Sequence, residues 1–357
     1  MPEFGSAPLV SVLIVTYNGY ALTRRCIDAV RCNEYPHYEI ILVDNGSSDG
    51  TVEAASKDFG DNIKIIALRE NLGPSAARNR GMEAASGEFV AFLDNDTVPD
   101  SKWLINGIAR MAVDSKIGAV QCRLMLNSDR KRFDYAGDYF GSCGFLVQRV
   151  RTGEEDVGQA DNEAIIFSAK SAGMLCRRDA FDAVGGFDDD YFIFVEETDL
   201  ALRMWLAGYT ALYLPTSVVY HEFGSSRDVL DDRHTRLVRF HGCKNYVCTL
   251  TKCLEARTLL RVLPVHLALW VAFAGWNTVK GEWRSALWII EGLWWNVAKL
   301  RSTIKKRRII QQYRIVPDSK IIAQVGKANS ISGLIGKARV VDVGNHISRV
   351  RKGDVAP

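Results

Sequence analysis

Several patterns that would place this 357-residue chain in a simple structural class are missing from it. Its eight cysteines include no CxxC pair of the kind that binds zinc, and they are too sparse for a disulfide-stabilised secreted scaffold. The N-terminus has neither the basic nor the apolar region of a secretory signal, and residues 3–6 look like translated cloning sites. We therefore expect reduced thiols and a cytoplasmic protein in which residues 1–8 are a cloning-derived leader and linker.

Acidic residues are scarce in the last part of the chain. From Lys299 onward, 14 basic residues stand against 3 acidic ones, a net charge of +11, whereas residues 1–298 carry a net charge of −8. A basic tail on an acidic body predicts binding to an anionic surface, either a membrane or a nucleic acid.

The first hundred residues alternate between short apolar runs and helical segments. Strands are predicted at 10–15, 39–43, 63–68 and 89–93, and helices at 20–32, 51–59 and 74–85. Because parallel strands require crossover connections, this order predicts an α/β fold in which helices cover both faces of a parallel sheet.

Polar residues follow each of the four predicted strands. They are Thr16, Tyr17 and Asn18 after the first, residues 44–49 after the second, Asn71 beyond the third, and Asp94, Asn95 and Asp96 after the fourth. In open α/β sheets, ligands bind outside the carboxyl ends of the strands, so these clusters are expected to form one site.

A missing dinucleotide-binding motif and a pair of aspartates limit the ligands that this site is expected to bind. No G-x-G-x-x-G motif follows a predicted strand, which disfavours a dinucleotide oxidoreductase. Asp94 and Asp96 lie two positions apart at the end of an apolar strand, and Mg²⁺ takes one or two protein carboxylates together with water and substrate phosphates. The pair therefore predicts a divalent cation with a diphosphate, and a surface turn capped by Asp and Asn is the alternative.

Three further residues near these strand ends have side chains suited to a nucleotide. Tyr17 can stack on a nucleobase, Asp44 can accept a hydrogen bond from the edge of the base, and Arg78 can bind a diphosphate with its planar fork. The structural alternatives are an aromatic at the rim of the core, an Asx turn and a solvated helical charge.

An acidic cluster, residues 196–199, opens a predicted helix that ends at Gly208 and follows the apolar segment 191–195. The helix dipole favours carboxylates in a first turn whatever their function. In apolar surroundings, however, a carboxylate can serve as a general base. Successive helical positions lie about 100° apart, so only one of Glu197 and Asp199 can face a given hydroxyl.

One of the six histidines has a context that favours metal binding. His221 ends a β-rich run and can complete a metal shell begun by Asp96. A structural hydrogen-bonding histidine is the alternative.

Tryptophan is concentrated near the C-terminus, with six of eight residues between 270 and 295. The apolar run 263–279 has 17 residues, the lower limit for a membrane span, and seven basic residues follow between Lys299 and Arg314. Tryptophan favours the headgroup boundary, so residues 263–314 are predicted to lie in an anionic membrane surface. A helical hairpin packed on the domain and a true span are the alternatives.

Six segments of the chain follow one another in the order of a known pattern. They are VSVLIVTYNG, IILVDNGSSDGT, NLGPSAARNRG, GEFVAFLDNDTVPD, EETDLALRMWLAGY and VVYHEFGSS. Together they resemble family 2 glycosyltransferases of the GT-A type, and most of all the rhamnosyltransferase-like branch. The resemblance covers about residues 9–228 and rests on the ordered set, since no single segment is specific.

The resemblance implies a GT-A type domain with a mostly parallel central sheet flanked by helices. Its nucleotide-sugar-binding half is expected at 9–100 and its acceptor-binding and catalytic half at 101–228. A Trp-rich, basic helical extension is then expected at 229–316, and a weakly ordered tail at 317–357.

The resemblance also implies an inverting, metal-dependent hexosyl- or deoxyhexosyltransferase that uses a nucleotide-sugar donor. By this analogy Thr16, Tyr17 and Asp44 hold the nucleoside, and Asn71 and Arg78 are further donor-binding residues.

The analogy extends to the metal and the base. Asp94 and Asp96 hold ribose, diphosphate and a divalent cation, Mg²⁺ or Mn²⁺, which His221 also binds. The family's base is usually the Asp of a Glu-Asp pair, and that pair is Glu-Glu here, so Glu197 takes the position and Asp199 is the second candidate.

Members with Trp-rich basic C-terminal helices often act on lipid-linked sugars. The resemblance therefore implies a glycan or polyprenyl-linked acceptor in cell-surface polysaccharide or glycoconjugate synthesis, on the cytoplasmic face of a membrane and without nucleic acid. A catalytically silent nucleotide-binding scaffold is one alternative. A sugar-nucleotide pyrophosphorylase is another, but it needs a Gly-rich basic loop after the first strand, which residues 16–20 lack.

Overall fold

The computed structural model describes residues 7–222, 232–330 and 333. These residues belong to two compact units. The first unit contains residues 7–139, 148–222 and 310–325, and the second contains residues 140–147, 232–309 and 326–330. Most of the predicted leader and the predicted boundary at residue 228 lie outside the described residues.

Strands and helices alternate through the first hundred residues, as predicted. The strands are β1 (Val10–Thr16), β2 (Tyr38–Asp44), β3 (Lys64–Ala67), β4 (Phe89–Asp94), β5 (Thr97–Pro99), β6 (Ile117–Leu126), β7 (Phe133–Tyr135), β8 (Asp138–Gly141), β9 (Leu146–Gln148), β10 (Ala164–Ile166), β11 (Met174–Arg177), β12 (Thr210–His221) and β13 (Gly326–Lys327). The α-helices are α1 (Tyr20–Arg31), α2 (Thr51–Phe59), α3 (Pro74–Ala84), α4 (Trp103–Ala112), α5 (Arg178–Ala183), α6 (Glu196–Leu206), α7 (Asp232–Cys253), α8 (Ala256–Val279), α9 (Trp283–Ala298), α10 (Leu300–Tyr313) and α11 (Asp318–Val325).

The main sheet of the first unit has the strand order β10-β12-β6-β11-β4-β1-β2-β3, with β5 beside β12 and β7 beside β6. The strands β4, β1, β2 and β3 pair in parallel. β11 then runs antiparallel to both β4 and β6, and β12 runs parallel to β6. The predicted α/β fold with a central sheet flanked by helices is confirmed. Antiparallel strands complete the sheet after residue 94, where the sequence analysis predicted no individual strands.

Alternate side chains of the central strands enter two apolar cores, one on each face of the sheet. In β1, Val12 and Ile14 pack in one core and Leu13 packs in the other, and all three are fully buried. Ile27 of α1 joins the first core, and Met82 of α3 joins the second. Both faces are covered by helices, which explains why the strands are continuous apolar runs instead of alternating ones.

The second unit is built mainly from helices, and α9 packs against both α7 and α8. Its core includes Trp270 and Phe273 of α8 and Ile289 of α9. A Cβ atom on Gly292 would lie 2.9 Å from the carbonyl oxygen of Phe240, so the absence of a side chain there allows α9 to approach α7 closely.

By length and composition, α8 is able to cross a membrane. It has 24 residues, and its most apolar stretch of 18 residues has a mean hydropathy of 1.6 and is only 28% buried. Core helices of soluble proteins share this length and composition, but they are mostly buried. The small buried fraction therefore leaves a large apolar face of α8 exposed.

Helix α11 lies within the segment that was predicted to be a weakly ordered tail. Ile321 and Val325 are buried, and Arg314 forms an ion pair of 2.7 Å with the buried carboxylate of Asp318. The prediction is therefore wrong for this helix, whose short apolar spacing was too weak a signal without the packing partners. Residues 331–332 and 334–357 of the predicted tail lie outside the described residues.

Candidate active site

The carboxyl ends of β1, β2 and β4 lie side by side in the first unit. Thr16 is paired with Asp44 in the β1–β2 register, and Val15 is paired with Asp94 in the β1–β4 register. Polar residues from separate parts of the sequence therefore meet at one edge of the sheet, as predicted.

Asp44 ends β2 with a buried carboxylate that has one unused oxygen. Its Oδ2 accepts a hydrogen bond of 2.9 Å from the backbone N–H of Ser47. Its Oδ1 is buried and has no hydrogen-bond partner among the described residues. A buried acceptor without a donor costs free energy, so this oxygen is suited to an N–H group of a ligand. Tyr17, which is 46% exposed, follows β1 at the same edge.

Two of the predicted donor-binding residues form hydrogen bonds within the protein. Thr16 is buried, and its Oγ1 lies 2.8 Å from Thr23 Oγ1 and accepts a bond of 3.1 Å from Asn95 Nδ2. The Thr16 hydroxyl therefore orients Asn95, and the implied contact of Thr16 with the nucleoside stays a prediction. The Oδ1 atom of Asn71 accepts a bond of 3.0 Å from Asn45 Nδ2, which joins the loops after β2 and β3.

Asp94, Asp96 and His221 form a cluster in which one ligand atom of each residue lies within 4.8 Å of the others. His221 Nε2 is 3.2 Å from Asp96 Oδ1. Strand pairing creates this contact, because β5 is antiparallel to β12 and Thr97 lies opposite His221. The N–H of Glu222 also donates to the carbonyl of Asp96 at 2.9 Å.

The chemistry of this cluster fits the predicted cation. Carboxylate oxygens suit Mg²⁺ and Mn²⁺, and a neutral imidazole is a common metal ligand. Burial lowers the pKa of His221, but hydrogen bonds to Asp134 and Asp96 raise it to about 10. The surroundings thus favour a positive charge at this point, whether a proton or a metal ion, and the candidate ligands are Asp94, Asp96 and His221.

Arg78 joins this cluster to the acidic start of α6. It is buried, and its two terminal nitrogens lie 2.9 Å from Asp94 Oδ1 and 3.2 Å from Glu196 Oε1. Burial and the charge of Glu197 raise the pKa of Glu196, which the Arg78 charge opposes. Both ends of the guanidinium contact carboxylates, so Arg78 links the metal-ligand cluster to α6, and its predicted contact with a diphosphate stays a prediction.

The loop before α6 has a strained backbone. Phe194 and Val195 have φ angles of 67° and 68°, in the left-handed region that bulky and β-branched residues avoid. A Cβ atom on Gly73 would lie 2.3 Å from the carbonyl oxygen of Phe192, so this loop touches the loop after β3. Strain of this kind occurs at functional sites, where surrounding contacts hold it in place.

The two candidate bases of α6 have different surroundings. Glu197 is half-buried, and its Oε1 accepts hydrogen bonds from the hydroxyl and the N–H of Ser171 at 2.6 and 3.2 Å. Asp199 is fully buried, and its Oδ2 accepts a hydrogen bond of 2.8 Å from Arg203 Nε and lies 2.7 Å from Arg203 Nη2 in an ion pair. The buried ion pair with Arg203 favours Glu197 over Asp199 as the candidate base, and the assignment of a base stays a prediction.

Sequence reasoning missed two residues that contact the predicted ones. Ser171 holds Glu197, and Asp134 Oδ2 lies 2.8 Å from His221 Nδ1. Both lie in the less regular part of the chain between β6 and β11, where no periodic pattern or motif singles them out.

Much of this site lies within a domain that matches a known family, although the matched residues end before Glu197 and His221. Residues 11–185 match the family described as Glycosyl transferase family 2. This domain belongs to glycosyl transferase family 2. The family assignment agrees with the resemblance noted in the sequence.

Named relatives of this glycosyltransferase domain come from archaea and bacteria. Over 110 residues it is 43% identical to glycosyltransferase AglE of Haloferax volcanii, and the match spans 29% of this chain but only 36% of that relative. Over 239 residues it is 29% identical to the N-acetylglucosaminyl-diphospho-decaprenol L-rhamnosyltransferase of Mycobacterium tuberculosis, covering 60% of this chain and 76% of the relative.

Solved structures show the same fold. One is the mannosyltransferase PcManGT of Pyrobaculum calidifontis in complex with GDP-Man and Mn²⁺, with a TM-score of 0.51 and 18% sequence identity. The alignment covers 95% of this chain and 88% of that structure. At this identity the likeness establishes the GT-A type fold and not the substrates.

Proposed function

We propose that this family 2 glycosyltransferase is an inverting enzyme that uses Mg²⁺ or Mn²⁺ to move a sugar from a nucleotide donor to an acceptor hydroxyl. The observation that carries the proposal is the meeting, within one unit, of three chemical functions. These are the unused oxygen of Asp44, the metal-ligand cluster that includes Asp96 and His221, and the carboxylate of Glu197.

The donor is held at the edge of the parallel strands. Asp44 Oδ1 accepts a hydrogen bond from the nucleobase, and the exposed ring of Tyr17 stacks on the base. Asp94, Asp96 and His221 hold the divalent cation, which, when bound, neutralises the charge that develops on the departing diphosphate.

Glu197 removes the proton of the acceptor hydroxyl while Ser171 holds its other oxygen. The acceptor oxygen forms a bond to the anomeric carbon. The bond from that carbon to the diphosphate oxygen breaks, and its electron pair stays on the diphosphate. Attack from the face opposite the leaving group inverts the configuration at the anomeric carbon.

The proposed substrates are a hexose or deoxyhexose nucleotide and a glycan or polyprenyl-linked acceptor. This choice is supported by the relative named as an L-rhamnosyltransferase of a diphospho-decaprenol acceptor and by the neighbour solved with GDP-Man.

A screen of nucleotide sugars tests the proposed function. We expect the full chain to hydrolyse or transfer from at least one donor only when Mn²⁺ or Mg²⁺ is present, with EDTA abolishing the reaction. Nucleotide binding without turnover on any donor or acceptor would instead indicate a silent scaffold, and release of pyrophosphate from a nucleoside triphosphate and a sugar phosphate would indicate a pyrophosphorylase.

Ser171→Ala is expected to lower kcat between about tenfold and a hundredfold, because it removes a hydrogen bond to a charged group that is worth about 1.5–3 kcal/mol. KM for the donor is expected to stay within about twofold, since Ser171 contacts Glu197 and not the metal cluster. Initial rates at varied donor concentration give both constants.

A matched control removes another buried hydroxyl of the same unit. Ser217 is buried in β12 and donates to the carbonyl of Trp103 at 2.8 Å. Ser217→Ala is expected to change thermal stability and leave kcat within about twofold. A Ser171→Ala enzyme with unchanged kcat would show that Ser171 does not position the base.

We also propose that α8 and α9 attach the enzyme to an anionic membrane surface at the cytoplasmic face. The exposed residues of α8 beyond its first two turns form what we call the apolar face: Pro264, Val265, Ala268, Val271, Ala272, Gly275, Trp276, Thr278 and Val279. None of them is charged. Exposed basic residues flank this face at Arg257, Arg261, Lys280 and Arg284, and Glu282 is an exposed acidic residue among them. The border therefore carries a net positive charge, which is complementary to an anionic bilayer.

Replacing Val271 and Trp276 together by Glu is expected to lower binding to anionic vesicles by at least about tenfold, because each exposed side chain that enters the bilayer contributes about 1.5–3 kcal/mol. Co-sedimentation with phosphatidylglycerol-containing vesicles measures the change. Val157, 79% exposed in the first unit, provides the control Val157→Glu, which should bind like the unaltered protein. Equal binding by the double variant would remove the apolar face from the interaction.

A further inference from the structure

Asp134 is a buried carboxylate that belongs to none of the sequence motifs. It lies on β7 and is 1% exposed. Its Oδ2 is 2.8 Å from Nδ1 of His221, whose Nε2 faces Asp96 Oδ1 at 3.2 Å. The imidazole therefore bridges a carboxylate of the metal cluster and one outside it.

The fold holds Asp134 in a fixed position relative to His221. β7 and β12 both pair with β6, so the two residues come from strands on either side of the same central strand. The backbone carbonyl of Asp134 also accepts a hydrogen bond of 2.9 Å from Thr152 Oγ1. Because the carboxylate of Asp134 is held by a paired strand, it limits the orientations that the imidazole ring of His221 can adopt.

An ionised carboxylate only accepts hydrogen bonds, so the contact with Asp134 requires the proton of a neutral His221 to reside on Nδ1. The lone pair is then on Nε2, which points toward the metal cluster. A histidine in the opposite tautomer would present an N–H group to a cation and could not bind it.

We propose that Asp134 is a positioning residue that sets the tautomer and the ring orientation of His221 for cation binding through Nε2. The inference rests on the proposed metal-dependent function. Partners of this kind behind a metal-binding histidine typically contribute about tenfold to a hundredfold in metal affinity.

Direct measurement of Mn²⁺ binding tests this proposal without relying on activity. The free Mn²⁺ signal in electron paramagnetic resonance gives the Kd of the full chain. Asp134→Asn is expected to raise the Kd about tenfold to a hundredfold. His221→Ala should also raise it, and adding Asp134→Asn to His221→Ala should cause little further change, because Asp134 acts through the imidazole. If Asp134→Asn weakened Mn²⁺ binding equally in the unaltered chain and in His221→Ala, the proposal would be overturned, because a general electrostatic or structural effect would be additive.

Asp138, which begins the next strand in the sequence, supplies a matched control. It is 2% exposed and contacts Tyr135 and Ser168 instead of His221. Asp138→Asn should therefore leave the Mn²⁺ affinity unchanged. If Asp134→Asn folds and binds Mn²⁺ as tightly as the original protein, only the role of Asp134 is overturned. If the original protein binds no Mn²⁺, the proposed metal-dependent function is overturned as well.

A measurement on the unaltered chain keeps the proposal testable if Asp134→Asn does not fold. With saturating Mg²⁺, which is diamagnetic, ¹⁵N NMR is expected to show His221 protonated at Nδ1 and unprotonated at Nε2. Protonation at Nε2 under these conditions would overturn the assignment.

Discussion

Asp96→Asn is expected to lower sugar transfer about a thousandfold at saturating donor and a fixed Mn²⁺ concentration. Asp96 is buried in the metal-ligand cluster and faces His221 Nε2. The substitution keeps the shape of the side chain but removes one of the two carboxylate charges contributed by Asp94 and Asp96. A catalytic cation supplies several kcal/mol to the departing charge, and a loss of about 4 kcal/mol corresponds to about a thousandfold.

The same substitution at an exposed carboxylate provides the control. Asp100 follows β5 and is exposed, and its Oδ1 accepts a hydrogen bond of 3.0 Å from the N–H of Lys102. Asp100→Asn is expected to keep transfer within about twofold. Both variants should retain a cooperative thermal transition, which separates loss of chemistry from loss of fold. An Asp96→Asn enzyme with more than a tenth of the original rate would contradict a ligand role for Asp96.

Asp96→Asn is also expected to raise the Mn²⁺ concentration that the enzyme needs for activity. Because the remaining ligands, Asp94 and His221, still offer one carboxylate and one imidazole, part of the activity should return at higher Mn²⁺. Rates measured over a Mn²⁺ titration check this, and recovery confined to high metal would show that affinity, and not folding, was lost.

The parts of the site predictable from the sequence are those where one strand positions a residue by itself. β1, β2 and β4 are apolar runs covered on both faces, and the polar residue that ends each run must lie at the same edge if the strands are parallel. Asp44 and Asp94 therefore followed from local pattern and elementary topology, and the structure places them there.

The contacts between distant segments were not predictable in the same way. Asp134 and His221 are 87 positions apart, and they meet only because β7 and β12 flank β6. A sequence pattern specifies the period of a strand but not its partners, and the short β7 has too few residues to show a period.

The choice between Glu197 and Asp199 as the base could not be predicted from the sequence either. Both lie in the first turn of α6, where the helix dipole favours either carboxylate. Arg203, four positions after Asp199 on the same helix face, forms a buried ion pair with it, which favours Glu197 as the candidate base. That spacing is visible in the sequence, but whether the pair is buried or solvated depends on what packs against the helix.

Glu197→Gln is expected to lower kcat by about two to four orders of magnitude, with the affinity for the donor almost unchanged. Glutamine keeps an oxygen that can accept the hydrogen bond from Ser171, so the side chain should stay in place. It cannot accept a proton at neutral pH, and a general base contributes typically about 10²–10⁴ to a rate. Isothermal titration with the nucleotide product measures the affinity, and single-turnover kinetics measure the chemical step.

Two further variants make this result specific to proton transfer. Glu197→Asp retains a base but shortens the side chain by one methylene, so its rate should fall between those of the unaltered enzyme and Glu197→Gln, because the acceptor hydroxyl is then farther from the carboxylate. Glu83 is an exposed glutamate paired with Arg80, and Glu83→Gln is expected to leave kcat within about twofold. Full activity in Glu197→Gln would remove this carboxylate from the reaction. A weaker donor affinity with unchanged kcat would instead assign Glu197 to substrate binding, because a base acts only on the step in which the acceptor oxygen loses its proton.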